Sequence, residues 1–289
     1  VIRRSLDASP FGEEHLDTLA FRAGPGAAGG ELVDTDKERG CMSRYGLTVD
    51  WDYFVPEKYE WDIGHAETAI HMSLLWQTRF YLFDKIKVVP AVDTFWQWVQ
   101  RWANVKPASL WVSDSHASAI TDPGLREVDT LILVDQHHDC WPHKRKSDFV
   151  YCDTWLRGWL ENDDTRHVIW VRPSFDAEYI QPKDAYPIPR DMRDRFTCTT
   201  QEDFSFKDVT LNAINICRSG AWTPPWLDDR FIAFINELGL PVGDLGTLQD
   251  GDILKALVPR WTIEQLKTYR EFGQQQIRIF EEMRERANG

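Results

Sequence analysis

Three short apolar runs in this chain end in the same way, each passing directly into aspartate or histidine. Gly46-Leu47-Thr48-Val49 leads into Asp50-Trp51-Asp52. Leu110-Trp111-Val112 leads into Ser113-Asp114-Ser115-His116, and Leu131-Ile132-Leu133-Val134 into Asp135-Gln136-His137-His138-Asp139. Continuous apolar runs of this length are the mark of strands buried on both faces, which belong to parallel sheets covered by helices. In such sheets, functional groups collect in the crevice beyond the carboxyl ends of the strands. One repeated pattern therefore constrains both the fold and the place of the site.

The rest of the chain supplies the covering helices. Phe95, Trp98, Val99 and Trp102 recur at helical spacing, and Ala66 to Phe80 and Leu227 to Leu238 also read as helices. Thr262 with Gln265 makes a capping-box start for a last helix running to about Arg286. His167 to Val171 and Ala213 to Ile216 read as further strands. The expectation is an α/β fold, a three-layer α/β/α arrangement with a mostly parallel sheet. The length of 289 residues suits one sizeable core, with two small domains as the competing reading. Ala23 to Gly30 is rich in Gly and Ala, and Asp34 to Arg39 is charged. Residues 1–41 are accordingly read as a flexible extension, and 42–289 as the catalytic domain.

Composition removes several classes. A formal charge of −13 disfavours nonspecific nucleic-acid binding. No apolar run approaches the roughly 20 residues that span a bilayer, and Val1-Ile2-Arg3-Arg4 does not open a signal peptide. The 5 cysteines form no CxxC, which argues against a disulfide framework or a thiolate zinc site. These features read as a cytoplasmic protein with reduced thiols.

The strand-end residues are candidate metal ligands. On an extended segment, residues two apart share a face, so Asp50 can point with Asp52, and Asp135 with His137 and Asp139. With His116 they amount to four carboxylates and two imidazoles. One divalent ion would leave two negative charges crowded together, whereas two ions neutralise the set. Oxygen-rich ligation with two imidazoles suits Mn²⁺ better than thiolate-loving ions, with Fe²⁺, Co²⁺ or Zn²⁺ as alternative occupants. His138 alternates away from this face and reads as packing. His65 and His71 lack the i, i+4 spacing of paired ligands.

These motifs resemble a known family. Asp135-Gln136-His137-His138-Asp139 is similar to the DxHxD signature of arginases and agmatinases. Ser113 to Ser118 resembles their GGDHS segment, and Asp50-Trp51-Asp52 their DxD. The DxD comes first here, so the motif order is permuted, and that order with Tyr53-Phe54 resembles the peptide arginases of ribosomal peptide pathways. The likeness spans Tyr45 to Leu156. It implies an arginase-like fold with two metal ions bridged by Asp135 and Asp50. His116 and Asp139 would complete one ion's shell, and His137 and Asp52 the other's. It further implies hydrolysis of an arginine guanidinium to ornithine and urea, with an arginine-containing precursor peptide or a small guanidino compound as substrate. Asp139 or His143 would carry the proton to the leaving nitrogen. Asp62 or Glu67 would face the guanidinium, the competing reading being an ordinary acid at the start of the next helix. Trp222 and Trp226, joined by Thr223-Pro224-Pro225, would form an aromatic wall, with core packing as the default reading.

Three rivals stand beside this reading: a ureohydrolase of free arginine or agmatine, an amine deacetylase of the same fold, and a phosphatase of the haloacid-dehalogenase kind. The last would use Asp50 as nucleophile and Asp52 as acid/base, with Asp163-Asp164 or Asp228-Asp229 as its later acidic pair. An assembly of identical chains stays open.

Overall fold

Every strand pairing in the sheet is parallel. The computed structural model describes residues 43–56, 69–82, 86–107, 110–142, 150–174, 188–242, 257 and 260–288. The chain divides into Val1–Asp34 and Thr35–Gly289, and every described residue lies in the second unit. The expected extension over 1–41 and its boundary at Met42 fall outside the described residues.

Among the described residues seven strands form the sheet: β1 (Tyr45–Asp50), β2 (Ala103–Val105), β3 (Trp111–Ser113), β4 (Thr130–Val134), β5 (His167–Arg172), β6 (Phe196–Thr200) and β7 (Val209–Cys217). Their order is β2-β7-β1-β4-β5-β6, with β3 also on β7. β2 runs beside Val209–Leu211 and β3 beside Asn215–Cys217, so the two make one interrupted edge. After β1 the chain moves to that edge; with β4 it returns to the other side of β1 and builds outward. The reversal opens a crevice at the carboxyl ends of β1, β4 and β7.

The pleat divides the core in two. Leu47, Val49, Ile132, Val134, Ile169 and Val171 face one side. There they pack with α2 (Phe95–Trp102) and α5 (Asp228–Asn236) through Phe95, Val99, Phe231 and Phe234. Leu131, Leu133, Val168 and Trp170 face the other side, against Leu125 of α3 (Pro123–Arg126) and Trp155, Leu156, Trp159 and Leu160 of α4 (Trp155–Glu161). This is the expected three-layer α/β/α arrangement. Leu211 and Ile216 share a face although five residues separate them, because the register with β1 shifts between Tyr45 and Gly46. A bulge at Asn212 resets the alternation, and its side chain accepts the Tyr45 N–H at 3.3 Å.

The expected helix from Ala66 is seen as α1 (Ala69–Leu82), residues 66–68 lying outside the described set. The capping box opens α6 (Ile263–Asn288) reciprocally. Thr262 N–H donates to Gln265 Oε1 at 2.8 Å, and Gln265 N–H to Thr262 Oγ1 at 3.2 Å. β2, β6, α3 and α4 were not expected. β6, Phe196-Thr197-Cys198-Thr199-Thr200, is a partly exposed edge strand with no apolar run to announce it.

Candidate metal centre

All six strand-end residues converge on the carboxyl edge of the sheet. Asp50 closes β1, and its Oδ1 accepts the Asp52 N–H at 3.2 Å, capping a 3-10 turn over Trp51–Phe54. Asp135 follows β4 directly, and its Oδ1 accepts the His137 N–H at 2.7 Å. His116 opens the 3-10 turn His116–Thr121 that follows β3, with the Ser115 side chain as its cap.

Two groups of ligand atoms result. Asp50, His116, Asp135 and Asp139 offer atoms within 4.8 Å of one another, and Asp52, Asp135 and His137 do the same. Ligands bound at about 2.1 Å from one ion stand about 3 to 4 Å apart, so each group is near the size of a metal shell. Asp135 belongs to both. In the first group, His116 Nδ1 lies 2.9 Å from Asp139 Oδ2, 3.0 Å from Asp135 Oδ2 and 3.3 Å from Asp50 Oδ2. In the second, His137 Nδ1 stands 3.7 Å from both Asp52 Oδ2 and Asp135 Oδ1. Asp50, Asp52, His116, Asp135 and Asp139 are buried, while His137 is partly open to solvent. The donors are oxygen and imidazole nitrogen, and four acids in so little space need cations to hold them together. The residues present therefore fit divalent metal.

The protonation of the cluster says the same. Burial, then the charge of Asp135, pushes Asp139 up to about 7 and raises Asp50 as well. Burial would also raise Asp135, but hydrogen bonds to His116 and His137 outweigh it and hold that carboxyl below its ordinary range. Burial disfavours the charged form of His116, yet Asp135, Asp139 and Asp50 overcome it and raise the imidazole well above its ordinary value. Without metal, protons take the place of positive charge.

The ligand segments are not extended throughout, contrary to the expected alternation. Asp52 is presented by a 3-10 turn, and Asp139 has φ 47°, the left-handed region that non-glycine residues seldom occupy. That conformation brings the Asp139 side chain back toward His116. His138 does turn away, its ring packing on Trp141 and Trp170.

Two supporting residues, Gln136 and Trp155, have no role assigned from the sequence. The Gln136 side-chain amide donates to the backbone carbonyls of Val55, at 2.8 Å, and Asp52, tying the two ligand loops together. Trp155 donates its indole N–H to Asp139 Oδ2 at 2.8 Å and packs on the His116 ring. Trp222 lies beside His137, with ring centroids 6.0 Å apart. Trp226 is placed differently, packing on Trp76 and Phe80 and donating to Ile86 O at 3.2 Å. Its ring partners are core side chains, which agrees with the packing reading for this residue. Asp62, Glu67 and His143 lie outside the described residues.

Among the described residues, no helix is long and apolar enough to cross a membrane. Comparison of the chain with protein-family profiles, with curated proteins and with solved structures finds no match.

Proposed function

We propose that this protein is a binuclear metallohydrolase of the arginase-like kind, acting on the guanidinium group of arginine within a peptide and yielding ornithine and urea. The observation that carries the reading is Asp135, one buried carboxylate common to two ligand groups at the carboxyl edge of a parallel sheet. Asp50, His116, Asp135 and Asp139 would hold one ion, and Asp52, His137 and Asp135 the other, with Mn²⁺ the best match to the donors. When bound, the pair would supply hydroxide near neutral pH and electrostatic stabilisation of the attacked carbon's substituents.

The chain's own residues have the remaining tasks. The contacts of Asp139 to Trp155 and His116 both use Oδ2, so Oδ1 is the oxygen suited to pass a proton to the departing δ-nitrogen. Partly exposed His137 and the neighbouring Trp222 ring support entry of substrate from that side. An aromatic face there suits a planar cation.

The phosphatase alternative finds less support. Asp163 and Asp164 precede β5, at the amino edge of the sheet, opposite the site. Asp228 is committed to ion pairs with Arg218 and Arg260. Asp50 is turned toward His116 and the Asp52 amide rather than standing as an open nucleophile.

Mass spectrometry of Mn²⁺-loaded protein with capped arginine peptides tests the proposal. Loss of about 42 Da per arginine marks conversion to ornithine. Absence of that loss with peptides, free arginine and agmatine alike would remove the ureohydrolase reading.

A further inference from the structure

We propose that Thr48, Asn215 and Asp122 form a buried positioning relay that fixes His116 with its proton on Nε2 and the lone pair of Nδ1 toward the cluster. The inference rests on the reading of that cluster as a metal centre, but on nothing about its substrate.

The direction of each hydrogen bond follows from the one before. Asp122 Oδ1 accepts the N–H groups of Gly124 at 2.8 Å and Leu125 at 3.3 Å, capping α3. Asn215 donates from Nδ2 to Asp122 Oδ2 at 3.2 Å. The amide oxygen of Asn215 is thereby turned the other way and can only accept. It accepts from the Thr48 hydroxyl at 3.3 Å. With its single hydrogen committed, Thr48 Oγ1 can only accept from His116 Nε2, which stands 2.8 Å away. With metal in place of the cluster's protons the imidazole is neutral and carries one N–H, which leaves Nδ1 bare. That atom is the one surrounded by Asp139, Asp135 and Asp50 oxygens. Four electron-pair donors so close together define a place for a cation.

Burial makes the arrangement stiff. Relative exposure is 0% for Thr48 and Asn215, 1% for His116 and 4% for Asp122, so water cannot substitute for a lost partner. Thr48 lies in β1, Asn215 in β7, and Asp122 between the His116 turn and α3. The 3-10 turn that begins with the ligand thus leads into the residue that sets its tautomer. Close packing of α3 on the sheet makes this reach possible. A Cβ at Gly124 would stand 2.9 Å from the Ala213 Cβ, so glycine is needed for that approach. Partners that orient a metal-bound imidazole change metal affinity by about 10- to 100-fold when removed.

Calorimetric titration with Mn²⁺ tests the relay on the full chain. Wild type should take up two ions. Thr48→Val, which keeps shape and removes the hydroxyl, should weaken one of the two binding steps by about 10- to 100-fold. Thr48→Ser should stay within about threefold of wild type, because it restores the acceptor. A second measurement needs no variant: ¹⁵N NMR of the Zn²⁺-loaded wild type should find the His116 proton on Nε2. Wild-type uptake of two ions together with unchanged affinity in folded Thr48→Val would overturn the relay and leave the metal centre standing, as would a proton on Nδ1. A wild type that binds neither ion would overturn both.

Discussion

The indole N–H of Trp155 meets Asp139 Oδ2 at 2.8 Å, and the same oxygen lies 2.9 Å from His116 Nδ1. A neutral donor thus holds a carboxylate whose backbone sits at φ 47°. Strained conformations persist where surrounding contacts overdetermine them. The indole ring also packs on the His116 imidazole, so one α4 side chain steadies two candidate ligands. Trp155→Phe should preserve much of the packing while removing the hydrogen bond. Loss of a bond to a charged acceptor costs about 1.5–3 kcal/mol, and Mn²⁺ affinity should fall by about tenfold or more. Urea unfolding of the metal-free form and calorimetry of the loaded form separate the two effects. Unchanged Mn²⁺ affinity in the folded variant would leave Trp155 with packing alone.

Sharing of Asp135 leads to a test by stoichiometry. Asp135→Asn should abolish tight binding of both ions, because both ligand groups include this residue. Asp52→Asn should weaken only one, since Asp52 takes part in the second group. Elemental analysis after Mn²⁺ saturation and desalting gives the count. At most one ion in the folded wild type would end the two-metal assignment.

The protonation of the cluster in metal-free protein predicts how stability depends on pH. Folding raises Asp139 from 3.8 to about 7 through burial and then the charge of Asp135, and it raises Asp50 and His116 too. Each group therefore binds more protons folded than unfolded, Asp139 between about pH 4 and 7 and His116 above about 6.5. Where the folded state binds more protons, stability falls as pH rises. Metal displaces those protons, so its binding strengthens over the same range. The Tm gap between Mn²⁺-saturated and EDTA-treated protein should widen from pH 5 to pH 8. A constant gap across that interval would mean that the cluster releases no protons to the metal.

The loop carrying Trp222 is anchored by charge. Asp228 pairs with Arg218 at 3.3 Å and also with Arg260, and both guanidinium groups are almost wholly buried. Burial is the main reason that Arg260 is held down to about 10, against the opposing pull of Asp228. Removing one member of a buried pair costs about 3–5 kcal/mol when the other is left uncompensated; here Arg218 keeps Asp114 at 2.5 Å, so the loss falls mainly on Arg260. Asp228→Ala should lower urea-measured stability by that order, and Asp229→Ala, at an exposed position, by far less. Equal effects would show that the pairing contributes nothing specific.

Much of the fold was legible because β1, β4 and β5 are buried on both faces, which forces uninterrupted apolar runs such as Leu131 to Val134. The ligands were legible for a related reason: an acid directly after such a run has nowhere to go but the carboxyl edge. What was not legible depends on contacts far apart in the chain. Gln136 meets Asp52 across 84 residues, Asn215 meets Asp122 across 93 and Thr48 across 167. Nothing local distinguishes Thr48 from any strand threonine. Trp222 and Trp226 look alike in sequence, yet one borders His137 and the other fills a gap beside α1.

The last prediction concerns substrate class. A site specialised for free arginine must hydrogen-bond both the α-ammonium and the α-carboxylate, whereas a peptide site needs an open mouth for backbone and neighbouring side chains. His137 is the partly open member of the ligand set and Trp222 lies beside it, so under the proposed function substrate would approach past an aromatic ring. Each buried polar group left unpaired by the wrong substrate costs about 1–3 kcal/mol, and two such mismatches separate substrates by about a hundredfold. The expected kcat/KM for a capped arginine peptide is therefore about a hundred times that for free arginine. Trp222→Ala should raise KM for the peptide while leaving Mn²⁺ stoichiometry at two, because the indole is no ligand. Equal kcat/KM for the two substrates, or a preference for the free amino acid, would point to a small-molecule ureohydrolase built on the same metal centre. An unchanged peptide KM in Trp222→Ala would instead place the peptide contact on other residues.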